Sequence, residues 1–202
     1  MKKSVIILIV VAGILLLGGV GACSFFTGTY NNMVVAEEGI SGAWAQVENQ
    51  YQRRLDLIPN LVETVRAYAE HEQTVFTEVA EARASAGGVM EMSADVLNDP
   101  AAFERFQEAQ SSLSGALQRL LVTTENYPTL KADQQFLALQ DQLEGTENRI
   151  AVERMRFNES VQAYNSYIRL FPQAFIASMM GFTPKAYFAS ESGAATAPTV
   201  SF

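Results

Sequence analysis

From residue 40 onward, apolar side chains return every three or four positions, the spacing that lays a stripe along one face of an α-helix. Ile40, Trp44, Val47, Tyr51 and Leu55 make a first run, and Leu61, Val62, Val65, Tyr68, Ala69, Val75, Phe76 and Val79 a second. Pro59 stands between the runs. Proline lacks a backbone donor and disfavours the α conformation of the residue before it, here Ile58. The pattern therefore admits a tight corner or one long helix kinked at Pro59, and we adopt the corner. A first soluble helix runs from about Thr29 to Asp56 or Leu57. A second runs from Pro59 to about Ala86 and stops at Gly87-Gly88, a pair suited to the backbone beyond a helix end.

Residues 87 to 100 read as a mobile connection in which Met90 and Met92 are loop side chains. Asp99-Pro100 opens a third helix with proline in its first turn, and Phe103, Phe106, Leu113, Leu117, Leu120 and Leu121 form its inward face. A fourth begins at Tyr127-Pro128, capped by Glu125 or Asn126, and runs to about Leu170 with a bend expected at Gly145. Its seam is Phe136, Leu143, Ile150, Phe157, Val161, Tyr164, Ile168 and Phe171, interrupted by Gln140, Glu147 and Arg154. Residues 171 to 182 are apolar on all sides, and 189 to 202 are small and polar, the composition of a disordered tail.

Upstream of the bundle, Val5 to Phe26 is almost wholly apolar, and its 22 residues reach about 33 Å as a helix, enough to cross a bilayer. Lys2 and Lys3 before it and Glu37 and Glu38 after it favour a cytoplasmic N-terminus and an extracytoplasmic body in a single pass. The alternative is a lipoprotein signal, because Val20-Gly21-Ala22-Cys23 has the small-residue box that precedes a lipid-modified cysteine. Either way the body is tethered to a membrane, by an uncleaved span or by lipid on Cys23. The fold class is therefore all-α: an antiparallel up-and-down four-helix bundle over residues 28–188, preceded by an anchor over 1–27 and followed by the tail.

Several motifs together resemble the LemA family. They are the stretch from Gln52 to Glu72 with Gly28-Thr29-Tyr30-Asn31 upstream and Glu81-Ala82-Arg83-Ala84 downstream. Further on come Glu125-Asn126-Tyr127-Pro128, Leu143-Glu144-Gly145-Thr146-Glu147-Asn148-Arg149-Ile150, Tyr164-Asn165 and Phe171-Pro172. The resemblance covers residues 28 to 188. It implies a bacterial, membrane-anchored helical bundle without an established biochemical activity, associated with envelope proteins that bear TPM domains.

Charge and composition narrow the function further. The formal net charge is -8 with 14 Lys and Arg, so a phosphate backbone would be repelled and nucleic acid is not an expected partner. With Cys23 the single cysteine, neither an intramolecular disulfide nor a thiolate metal site can form. A bundle with inward acids raises a carboxylate-bridged metal pair, which needs Glu-x-x-His on two helices. The chain has one histidine, His71, and Tyr68 occupies the position of the pairing glutamate. His71, between Glu70 and Glu72, reads as a helix-surface residue. No nucleophile and base share a recognisable motif, and neither a cofactor nor an enzymatic activity is expected.

Two polar groups remain. Arg53, Arg54, Asp56 and Asn60 gather at the expected corner, either to satisfy backbone groups where helices end or to form a fork for a partner's carboxylate. With the second and fourth helices parallel and starting at one end, Arg83 is expected to pair with Glu147, and Arg154 with Glu78 or Glu81, as an inter-helix polar layer that sets register. The function expected is a non-enzymatic scaffold or protein-interaction module of the envelope, open to homo-oligomerisation. The alternative is a self-assembling membrane-surface organiser that remodels or sorts lipid.

Overall fold

The structure, a computed structural model, describes residues 3–91 and 96–189. Those residues form six helices and no strand: α1 (Lys3–Arg66), α2 (Gln73–Glu91), α3 (Pro100–Thr124), α4 (Pro128–Lys131), α5 (Gln134–Tyr167) and α6 (Gln173–Met180). The chain is all-α, as its periodicity requires. Met92 and the tail beyond Ala189 lie outside the described residues.

The corner expected at Pro59 does not form, because α1 passes through it. Proline at position 59 cannot donate to the carbonyl four residues back, that of Leu55. Arg83 Nε of α2 donates to that carbonyl at 3.1 Å instead. The turn comes later, over residues 67–72, where Tyr68 N and Ala69 N both donate to Val65 O. Gly87 and Gly88 do not stop α2 either, since it runs on to Glu91. Each glycine costs a helix interior about 1 kcal/mol against alanine. Ala86 is fully buried just before the pair, and Met90 just after it packs on the core.

The third helix starts where expected, with Asp99 accepting from Ala101 N at 2.9 Å. The fourth starts twice. The short α4 has no side-chain cap, and Asp133 then caps α5 by accepting from Phe136 N at 2.9 Å. From there α5 is unbroken through Gly145 and ends at Tyr167, before the expected Leu170.

Two compact units result, one joining the chain up to Ile40 with Gln162–Pro184, the other joining Ser41–Val161 with the segment from Lys185. In the larger unit α1 buries Trp44, Val47, Tyr51, Leu55, Ile58, Leu61 and Val65, so the first apolar run and the start of the second share one stripe, while Val75, Phe76 and Val79 belong to α2. Trp44 meets the rings of Phe103, Phe106, Phe157 and Phe188 at centroid distances of 5.0 to 5.9 Å. Further along, Arg54 of α1 reaches Gln110 and Ser114 of α3 and Glu147 of α5. Residue numbers thus rise together along α1 and α3 and fall along α5. Further still, α2 packs along α3, and the core passes through Phe76, Val79, Leu117, Leu120, Leu130 and Phe136. Tyr68, expected inward, is 40% exposed because α1 has already ended; its hydroxyl donates to Asp133 Oδ2 at 3.0 Å.

The smaller unit buries Met33, Ile40, Tyr164, Ile168, Ile176 and Ala177. The Tyr30 and Phe182 rings meet edge to face at 5.8 Å, Asn32 Nδ2 donates to Tyr167 Oη at 3.4 Å, and Tyr164 Oη donates to Thr183 O at 3.1 Å. Burial, with Glu37 nearby, raises the Tyr164 hydroxyl pKa to about 12, so it stays a donor. α6 ends at Gly181, whose φ of 81° is open to glycine at little steric cost. Phe171, expected in the seam, is 91% exposed: the helix has ended at Tyr167, so its spacing no longer governs where position 171 points.

Candidate functional site

Arg54 sits on the buried stripe of α1 with its side chain 2% exposed. Counting inward from Val47 and Tyr51 by steps of four and three reaches Arg54, then Ile58, so helix geometry alone turns this arginine into the core. A buried cation must be paired and hydrogen-bonded. Nη1 donates to Glu147 Oε1 at 2.8 Å and to Ser114 Oγ at 2.9 Å. Nη2 donates to the Gln110 carbonyl at 3.3 Å and to Gln110 Oε1. The Tyr51 ring lies 5.1 Å from the guanidinium carbon, close enough for a cation–π contact. One side chain thereby ties α1 to α3 and α5.

Beside this node is a cleft of about 170 Å³ lined by Gln107, Ser111, Arg154 and Phe188 among others. Phe188 and Ala189, beyond the last helix, form part of its wall. Phe188 N donates to Asn158 Oδ1 at 2.9 Å and Asn158 Nδ2 to Phe188 O at 3.1 Å, while Ala189 N donates to Gln107 Oε1 at 3.0 Å. Arg154 Nη2 donates to Ala189 O at 3.0 Å, and its guanidinium lies 4.7 Å from the centre of the Phe188 ring.

The four polar residues grouped at the expected corner are dispersed. Arg53, Asp56 and Asn60 are exposed, Asp56 accepting from Gln52 Nε2 at 2.8 Å and the Asn60 carbonyl from Thr64 Oγ1 at 2.8 Å. No helix ends there, so no cluster of orphan backbone groups draws them together. The expected polar layer is also rewired. Glu147 pairs with Arg54, not Arg83; Arg83 holds the Leu55 carbonyl; Arg154 meets Ala189 and Phe188; Glu78 pairs with Arg119 at 2.8 Å; and Glu81 is exposed. The register differs because α2 starts at Gln73, not at Pro59, a shift of about 21 Å at 1.5 Å per residue. Gln140, expected inward, is exposed. Cys23 is exposed on α1, and so is His71, in the connection to α2.

Gln110, Ser114 and Phe188 escaped the sequence reading. The signal for Gln110 was present, as it lies four residues after Phe106 and three before Leu113 on the inward stripe of α3. Phe188 follows the last helix, and periodicity has nothing to say there. Most polar atoms of the node are spent on one another, although Arg54 Nε and Gln110 Nε2 are buried without a hydrogen-bond partner. The Ser114 hydroxyl donates to the Gln110 carbonyl at 3.1 Å while accepting from Arg54, with no base positioned to take its proton. Glu147 is engaged by the arginine. The arrangement suits helix registration.

Near its N-terminus α1 presents Ile7 to Val20 outward: the large apolar side chains of this stretch are 49 to 72% exposed, and the helix is long and apolar enough to cross a bilayer. Residues 43–202 match the LemA family. The magnetosome protein MamQ of Magnetospirillum gryphiswaldense is 28% identical over 174 residues, covering 79% of this chain and 64% of the relative. MamQ 2 of Paramagnetospirillum magneticum is 26% identical over the same length, again with 64% of the relative covered. The chain thus spans about 64% of the length of these curated relatives. With the family match running over most of the chain, on a helical body that follows a long apolar helix, this protein belongs to the LemA family.

Proposed function

We propose that this protein is a membrane-tethered, non-enzymatic scaffold of the bacterial envelope, an up-and-down helical bundle held at a membrane by α1. The observation that carries the reading is the outward-facing apolar run of α1, Ile7 to Val20, on a helix that continues directly into the packed body. Burying such side chains in lipid recovers about 25 cal/mol for each Å² removed from water, which no aqueous arrangement of a lone helix offers. Kinship with magnetosome proteins supports membrane association. The lysines at positions 2 and 3 favour a cytoplasmic N-terminus, and Cys23 stays unmodified within the span.

In the body, the buried polar groups serve cohesion, so partners meet its outer surface. The partner class is an envelope protein, with TPM-domain proteins the first candidates by family analogy. Crosslinking in intact cells followed by mass spectrometry tests this, and a recurrent heterologous partner is expected. Self-contacts alone, dependent on lipid composition, would replace the scaffold with the lipid-organising alternative. The anchor is tested separately: membrane retention through a high-pH wash and a mass unaltered by globomycin are expected. Palmitate labelling that disappears in Cys23→Ala would transfer the tether to lipid.

A further inference from the structure

We infer that α6 and the turn before it are a second membrane contact, a foot that rests in the lipid interface beside the point where α1 leaves the bilayer. The inference rests on the reading of α1 as a span. It begins from an exposed apolar surface that aqueous folding does not explain. Phe171 is 91% and Phe175 71% exposed, with Leu170, Met179 and Met180 beside them in sequence and also exposed. Phe175 and Met179, four residues apart, share a face of α6, while Ile176 and Ala177 are buried. Concentrated apolar surface of this kind marks an interaction site.

Three observations select lipid as the occupant. The first is level. The Tyr30 ring on α1 packs on Phe182, and Asn32 bonds Tyr167, so the segment carrying α6 docks just beyond the apolar run. Tyr30 lies four residues after Phe26, about 6 Å along the helix, and interfacial helices sit about 5 to 10 Å into the headgroup boundary. The second is charge. In a chain with 22 Asp and Glu, the stretch from Gln162 to Pro184 has none, and its one charged residue is Arg169, exposed next to Leu170. A surface facing anionic headgroups calls for that bias, whereas the rest of the body is strongly acidic. The third is residue type. Tyr30 and Tyr167 lie at the junction, the ring of the first against Phe182 and the hydroxyl of the second accepting from Asn32, and tyrosines are enriched at membrane interfaces.

The test uses the full chain with Cys23→Ser, so that a single introduced thiol carries a nitroxide. Labels are placed at Phe175→Cys, Met179→Cys and Leu16→Cys, each in nanodiscs of phosphatidylcholine and phosphatidylglycerol. At each site, relaxation by oxygen, which concentrates in lipid, is compared with relaxation by a water-soluble nickel chelate. Leu16→Cys supplies the lipid value and a free nitroxide in buffer the aqueous one, while unchanged Trp44 emission certifies the fold. Positions 175 and 179 are expected on the lipid side, with the oxygen-to-nickel ratio inverted relative to the free label. An aqueous ratio at 175 and 179 with a lipid ratio at 16 overturns the foot and leaves the span standing. Loss of the lipid ratio at 16 overturns both. Exclusion of both relaxants at 175, together with spin–spin broadening, assigns the face to a second copy and likewise overturns the lipid contact.

Discussion

Arg83 completes a helix that Pro59 leaves one bond short, its Nε donating at 3.1 Å to the Leu55 carbonyl that position 59 has no proton to reach. The two residues should therefore be energetically coupled although neither side chain needs to touch the other. Arg83→Met is expected to cost about 1 kcal/mol, the net worth of a partly buried hydrogen bond. In a Pro59→Ala background the alanine amide supplies the missing donor, and most of that cost should vanish. A double-mutant cycle in denaturant melts measures the coupling; additivity would mean that Arg83 contributes nothing to helix continuity.

Pro59 also shows where sequence reasoning stops. The inward stripe was legible at Ile40, Trp44, Val47, Tyr51, Leu55, Leu61 and Val65, because burial follows a 3.6-residue period, but not at Arg54 and Ile58, which lie on the same stripe beside the expected corner. Continuity was not legible. It depends on a donor from Arg83, 24 residues further along the chain, and local rules for proline do not see it. Glycines 87 and 88 mislead in the same way, since tertiary packing around Ala86 and Met90 outweighs their propensity. Because α2 begins at Gln73 rather than at Pro59, axial pairings counted from the proline are displaced, and Glu147 meets Arg54 in place of Arg83. The long apolar helix at the N-terminus needed no tertiary information and was legible from composition alone.

Glu147 and Arg54 make an asymmetric pair, their side chains 41% and 2% exposed. Removing the arginine leaves a carboxylate that water can reach, together with a gap among Gln110, Ser114 and Tyr51. Arg54→Ala should destabilise by about 2 to 4 kcal/mol, short of the upper end for a fully desolvated pair. Glu147→Gln keeps an oxygen acceptor for Nη1 and loses only the charge, so about 1 to 2 kcal/mol is expected. Thermal melts of both variants check the order. An unchanged melt for Arg54→Ala with loss of a crosslinked partner would reassign the node from cohesion to recognition.

Trp44 joins α1 to α3, α5 and the segment bearing Phe188 through four ring contacts. As the single tryptophan it is also a native reporter. At 4% exposure its emission should be blue-shifted and poorly quenched by acrylamide until the body unfolds. Trp44→Ala is expected to cost about 3 to 5 kcal/mol as a large-to-small core change. Trp44→Phe should cost less, since it keeps an aromatic ring and removes an indole N–H that has no acceptor in the core. Equal losses for the two variants would mean that the ring contacts are not what stabilises this layer.

Asp133 gives the body a pH-dependent joint. The Phe136 amide at Oδ1, and after it the Tyr68 hydroxyl at Oδ2, hold the carboxyl below its ordinary pKa, against a smaller opposing effect of burial. The bond to Asp133 raises the Tyr68 hydroxyl. For a carboxyl whose folded value is depressed, the unfolded chain binds more protons, so the stabilisation is complete above the ordinary value of about 4 and disappears as pH falls through the lower folded value. The tyrosine works the other way: its contribution is full below its ordinary value of about 10 and is lost as pH rises through the raised folded one. Asp133→Asn keeps a capping acceptor for the first turn of α5 but cannot titrate. Relative to wild type it should therefore lose less stability between about pH 5 and 2, although its melting temperature at neutral pH is lower. Tyr68→Phe should flatten part of the alkaline loss, with the remainder shared by Tyr127, whose hydroxyl is raised in the same manner by its bond to Glu72, and by Tyr164, raised chiefly by burial. Melting temperatures across pH for the three proteins measure this, and superimposable acid limbs for wild type and Asp133→Asn would show that the carboxylate does not hold the start of α5.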